Sequence, residues 1–156
     1  MKEIPLTKGC VAIVDDADYE TLAAHRWLAC NRRGVPVYAG RDVGGRRLLM
    51  HRVILAAPSG FEVDHINGDG FDNRRQNLRL ATRSQNARNI GSRRGASSQY
   101  VGVSYDRRSG RWASQISVNY KNHHLGYFDN EREAALAYDR AARAMHGAFA
   151  RPNFQE

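Results

Sequence analysis

The sequence predicts an α+β chain built of small modules. Three observations carry this. Short β-patterned runs bounded by Gly, Asn and Asp recur along the chain. One alanine-rich helical pattern stands near the C-terminus. A chain of 156 residues can hold two small cores but not two large ones. The 42% hydrophobic content includes no apolar run of membrane-span length. The N-terminus MKEIPLTKGC lacks the apolar stretch of a signal peptide, so the protein is expected to stay in the cell that makes it. Cys10 and Cys30 make no disulfide framework, and a reducing interior keeps them as small buried hydrophobes.

The N-terminal part, residues 1–48, reads as a small β/α extension. Ile4 to Leu6 and Cys10 to Val14 flank the turn Thr7-Lys8-Gly9. Asp15-Asp16-Ala17-Asp18 offers N-caps for a helix through Tyr19, Leu22 and Ala23, ending near Trp27. Val35 to Arg41 and Arg46 to Leu49 form a hairpin across Asp42-Val43-Gly44-Gly45. This segment is expected to pack first and to contact DNA second. An apolar helix then begins near Leu48 and carries His51, expected to be buried or to touch phosphate.

The most informative text is Val63-Asp64-His65-Ile66-Asn67-Gly68-Asp69, followed by Asn77 and Asn86. On a strand, Asp64 and His65 point to opposite faces. Asn86 follows His65 by 21 residues, room for a loop and a helix to return it beside Asp64. Asp64 and Asn86 would then offer oxygen ligands to a hard divalent ion, leaving His65 as a base. Two plainer readings compete. HINGDG is ordinary turn material. A structural zinc site is the other, but the two cysteines lie far upstream and form no Cys-x-x-Cys pair.

The text VDHINGDGFDNRRQNLRLATRSQNARN, within about Leu49 to Asn89, resembles the HNH endonucleases of the phage and intron-homing type. The resemblance implies a ββα-metal fold, a hairpin and helix around one divalent cation. By position it makes His65 the general base and Asp64 and Asn86 the metal ligands. Asn77 becomes the central asparagine, bracing the loop. Asn86 stands where other members carry histidine, which removes a nitrogen ligand and favours magnesium, or manganese, over zinc.

Charge position adds a partner. The chain is +8 overall. Between Asn73 and Arg111 lie Arg74, Arg75, Arg79, Arg83, Arg88, Arg93, Arg94, Arg107, Arg108 and Arg111, against one acid, Asp106. With that one acid against ten arginines, the window holds the whole positive excess and is almost without compensating acids. A charge run is usually a solvated face, but arginine beside a metal-site motif points to a polyanion. RNA is disfavoured because the window has few aromatics for base stacking.

IGSRRGASSQ, residues 90–99, has linker composition. Beyond it, Tyr100 to Tyr105, Arg111 to Val118 and His123 to Phe128 read as three strands. Asn130-Glu131-Arg132-Glu133 opens a helix, Ala134, Ala137, Ala141 and Met145 recur along it, and Gly147 stops it. The texts YVGVSYDRRSGRWASQISV and HLGYFDNEREAALAYDRAARAMHGAFARPNF resemble the APETALA2-type DNA-binding domain. That family implies a three-stranded antiparallel sheet in the major groove, backed by one helix. Alternation in the second strand puts Arg111, Ala113, Gln115 and Ser117 toward DNA, with Arg107 and Arg108 from the turn. Trp112, Tyr127 and Phe128 are expected in the core. Ser104 and Ser117 stand where plant members carry arginines, so fewer groups can read guanine.

The expected division is 1–48 extension, 49–92 nuclease module, 93–99 basic linker and 100–156 DNA-binding domain. The function these resemblances imply is a metal-dependent DNA endonuclease of homing type. It would act on double-stranded DNA, as a monomer or weak dimer, without membrane or small-molecule cofactor, in the cytoplasm of a phage-infected bacterium. The rival is an inactive DNA-binding regulator built on the same modules.

Overall fold

The computed structural model describes residues 1–32, 34–87, 96–119 and 121–154. The chain divides into two compact units, Met1–Asn86 and Ala87–Glu156.

In the first unit, β1 (Lys2–Pro5) and β2 (Val11–Val14) form an antiparallel hairpin across a 3-10 turn at Thr7–Gly9. Helix α1 (Asp16–Ala23) follows. It ends a turn earlier than the sequence predicts, because Trp27 leaves the helix to bury its ring and donate from Nε1 to the Leu22 carbonyl at 2.8 Å. The Asp15 side chain does not cap the helix but accepts from the Arg75 backbone at 2.8 Å. Strand β3 (Leu28–Arg32) is an element the sequence reading missed, since its small Ala29 and Cys30 give no strong β pattern. It pairs with β4 (Val35–Val43), which pairs with β5 (Arg46–Leu49). Both cysteines are free thiols. Short helix α2 (Met50–Ile54) leads to β6 (Glu62–His65), which pairs antiparallel with β7 (Leu78–Ala81). Helix α3 (Arg83–Asn86) completes a β-β-α order.

One core serves this whole unit. Ile4, Val14, Leu22, Trp27 and Ala39 from the N-terminal elements pack with Met50, Ile54, Val63 and Leu78. The N-terminal elements therefore share the hydrophobic burial that stabilises the central hairpin.

In the second unit, β8 (Val103–Asp106), β9 (Arg111–Val118) and β10 (Lys121–Phe128) form an antiparallel sheet with β9 central. Helix α4 (Glu131–His146) packs on one face. Its N-cap Asn130 accepts from the Arg132 backbone at 2.7 Å, and Gly147 ends it. The buried stripe is Ala134, Ala135, Tyr138 and Ala142, joined by Ala137. Met145, expected on that stripe, is 45% exposed, because the i, i+4 row through Ala134 turns it outward. Gly102 lets helix and sheet approach. A Cβ there would lie 2.0 Å from the Tyr138 ring, and its φ of +76° suits glycine. Ser97 and Ser98, expected in the linker, are bonded into this unit. Ser97 Oγ accepts from the Tyr105 backbone, and Ser98 Oγ donates to Glu131 at 2.7 Å.

Among the described residues, no helix is long and apolar enough to cross a membrane.

Candidate active site and nucleic-acid interface

Strand β6 delivers Asp64 and His65, both almost wholly buried. Register sets Asp64 opposite Arg79 and His65 opposite Leu78. Arg79 Nε donates to Asp64 at 2.7 Å, and its Nη2 lies on the same oxygen. Asn86, at the end of α3, donates from Nδ2 to Glu62. Glu62 lies two residues before Asp64 on β6 and so shares its face. The bond to Glu62 brings Asn86 to β6, and Glu62, Asp64 and Asn86 all carry oxygen, the donor type a hard cation takes. Arg79 occupies the Asp64 carboxylate, so a divalent ion there would have to share or displace that cation. The described residues contain no group of three or more His, Cys, Asp or Glu side chains placed to hold a metal.

His65 sits among rings. The His51 ring meets it edge-on at 5.0 Å between centroids, and the Tyr38 ring lies 5.9 Å away at 31°. Tyr38 and His51 also contact each other at 5.3 Å. His65 Nε2 faces Asn73 Oδ1 at 3.4 Å. Burial lowers the pKa of His65 below its ordinary value. The Asn73 bond and the carboxylates of Asp64, Asp69 and Asp72 oppose that shift without reversing it. His51 is pushed down to about 3, first by burial and then by the charges of His65 and Arg52. Its Nδ1 is buried with no hydrogen-bond partner among the described residues.

The loop after β6 is held by amides. Asn77 accepts from the Asn67 backbone at 3.0 Å and donates to Asn67 Oδ1 at 3.0 Å and to the Asp72 carbonyl at 2.8 Å. Asn67 in turn donates to Asp72 at 2.9 Å. Strand β2 props the loop from outside, through Ile13 bonded to the Phe71 carbonyl and the Asn73 amide. Gly70 lies against β4, where a Cβ would fall 1.9 Å from the Val37 carbonyl and 2.6 Å from the Tyr38 ring.

The arginine window divides on folding. Arg74 makes a two-point pair with Asp72 at 2.7 and 2.6 Å, and Arg75 a two-point pair with Asp18 at 2.8 Å. With Arg79 on Asp64, three of the ten arginines have acid partners inside the unit. The expectation of a window almost without compensating acids is corrected here: the acids lie outside it in sequence, and the fold brings them in. Arg83, Arg107 and Arg108 are exposed. Arg88, Arg93 and Arg94 lie outside the described residues.

On the C-terminal sheet, Arg111, Gln115 and Ser117 are exposed, while Ser114 and Ile116 are buried against the helix. Arg111 pairs with Asp129 at 2.8 Å. Trp112 and Phe128 pack on the helix side. Tyr127, expected in the core, is 46% exposed, because it lies opposite Ala113 on the outward face. It meets His124 at 4.7 Å between centroids, and His124 lies opposite Gln115.

Sequence reasoning missed Tyr38, Glu62 and Asn73. Tyr38 lies outside the motif text. Glu62 precedes Asp64 by two, a spacing that on a strand means one face. Asn73 lies within the motif text but carries no role there.

Two family models match the chain: an HNH endonuclease over residues 49–88 and an AP2 domain over residues 98–148. An uncharacterized HNH endonuclease of Acanthamoeba polyphaga mimivirus is 31% identical over 152 residues, covering 94% of this chain and 76% of that protein. The chain belongs to the HNH endonuclease family. Protein 3.8 of Escherichia phage T7 is 31% identical over 94 residues, covering 60% of this chain and 77% of that protein. The APETALA2-like protein 2 of Oryza sativa subsp. japonica is 51% identical over 61 residues, 39% of this chain but 14% of that protein. This HNH endonuclease thus joins a nuclease-family module to an AP2 DNA-binding domain.

Proposed function

We propose that the protein is a metal-dependent DNA endonuclease of homing type that hydrolyses phosphodiester bonds, with His65 as general base. The observation that carries this is His65 itself. It is a buried imidazole with a depressed pKa, fixed among rings and an amide, one residue from a buried carboxylate. Such a group is neutral at physiological pH and able to take a proton. His65 receives the proton of a water attacking phosphorus. The P–O3′ bond breaks, and the 3′ oxygen leaves and is protonated from solvent. Asp64 and Asn86 would hold one divalent ion, magnesium or manganese, which when bound supplies charge stabilisation at the phosphate and the leaving oxygen. Asn77 supports the loop, and the AP2 sheet holds double-stranded DNA through Arg107, Arg108, Arg111, Gln115 and Ser117. The names of the phage and viral relatives support a setting in an infected host.

The second reading, a DNA-binding regulator without cleavage, is favoured by one observation: Arg79 already satisfies Asp64. Incubating the protein with supercoiled and relaxed duplex DNA and magnesium separates the two. Nicked or linear product that disappears with chelator, and disappears in Asp64→Ala, is expected for the nuclease. Intact plasmid under all conditions, with retained DNA binding, establishes the regulator.

A further inference from the structure

His65 is held by a residue that no motif assigns. Asn73 is 0% exposed and sits at the end of the loop that returns from β6. Its backbone N–H donates to the Ile13 carbonyl at 2.8 Å, which ties it to β2. Its side-chain Nδ2 donates to the Phe71 carbonyl at 3.1 Å and lies 3.5 Å from the Gly70 carbonyl. Carbonyl oxygens only accept, so the amide has one sustainable orientation. Turned over, it would set Oδ1 against two oxygens. Oδ1 therefore faces His65 Nε2. An amide oxygen accepts only, so Nε2 must donate. A neutral imidazole carries one N–H, and the lone pair then resides on Nδ1.

The ring cannot easily escape this choice. A half-turn about the Cβ–Cγ bond would replace Nε2 by a carbon and lose the bond to Asn73. The edge-on His51 ring and the tilted Tyr38 ring hold its plane. Loop 67–73 that carries Asn73 is pressed on β4 at Gly70.

We propose that Asn73 is the positioning residue of His65: its side-chain oxygen keeps the imidazole proton on Nε2 and makes Nδ1 the nitrogen that accepts the proton of the attacking water. This rests on the reading of His65 as the base. Wrong-tautomer variants of histidine-dependent hydrolases lose large factors in turnover while keeping their geometry, so the choice of nitrogen matters to rate.

The test is ring-nitrogen NMR of the full-length, nitrogen-15-labelled protein in magnesium buffer, with His65 assigned by the signals lost in His65→Gln. The expected result is a protonated Nε2 and an unprotonated Nδ1. A proton on Nδ1 overturns the proposal. Asn73→Leu removes the acceptor at similar size. It should mix the His65 tautomers and lower kcat by about tenfold or more with KM for duplex DNA unchanged. A folded Asn73→Leu variant with wild-type kcat overturns the proposal. If that variant does not fold, the wild-type spectrum decides alone. Wild-type cleavage by His65→Ala would instead remove the base reading and leave the tautomer result standing.

Discussion

At the residue scale, the nuclease-family unit places charge and titratable groups where water is scarce. Asp64 is 4% exposed and depends on Arg79 for its charge balance. Removing one partner of a buried pair leaves an uncompensated charge. Arg79→Gln should therefore lower stability by about 3 kcal/mol, read from urea unfolding. Unfolding equal to wild type would show the pair to be dispensable. The imidazoles set an acid limit. His51 and His65 both have folded-state pKa values below the ordinary 6.5, so the unfolded chain binds their protons more tightly. Stability is complete above 6.5 and falls as pH drops from there, at His51 down to about 3. At pH 4.5 the His51 contribution alone should be a loss of about 2–3 kcal/mol. Asp72 acts in a lower window, since Arg74 holds its carboxyl below the usual 3.8 and the stability it gives is lost only beneath that. His51→Gln should flatten the fall between pH 7 and 4.5, and an unchanged slope would assign the acid sensitivity elsewhere.

At the element scale, the β6–β7 hairpin depends on its loop, and the loop depends on Asn77. Asn77→Ala leaves the Asn67 amide and the Asp72 carbonyl without their partners, and should cost about 2–3 kcal/mol in unfolding free energy. A loss below about 0.5 kcal/mol would mean that water replaces the side chain fully. Much of this was legible in the sequence. Alternation placed Gln115 and Ser117 outward on β9, and the hairpin turn at Gly44–Gly45 was marked by its glycines. Other parts were not legible, for physical reasons. Asp64 and Arg79 meet only through strand register, which pairs these residues 15 apart. Tyr38 reaches His65 because β4 packs on loop 67–72, a tertiary contact with no local pattern. Tyr127 looked apolar enough for the core, but the β10 register turned it out.

At the scale of the whole molecule, the chain forms two compact units, and under the proposed function their DNA contacts should separate by salt. With Arg74, Arg75, Arg79 and Arg111 paired to acids, the window holds six other arginines. If about five of them meet phosphates, log affinity should fall with log salt at a slope of about −4.5. Arg107→Ala with Arg108→Ala should flatten that slope by about 2. An unchanged slope would move phosphate contact away from the β8–β9 turn. The account rests most on one separation, that chemistry belongs to His65 and DNA binding to other residues. The direct measurement takes one preparation each of wild type and His65→Ala and follows duplex binding and magnesium-dependent cleavage side by side. The account predicts cleavage reduced by about a hundredfold or more with binding within about twofold of wild type. Wild-type cleavage by His65→Ala, or binding lost together with cleavage, would contradict it.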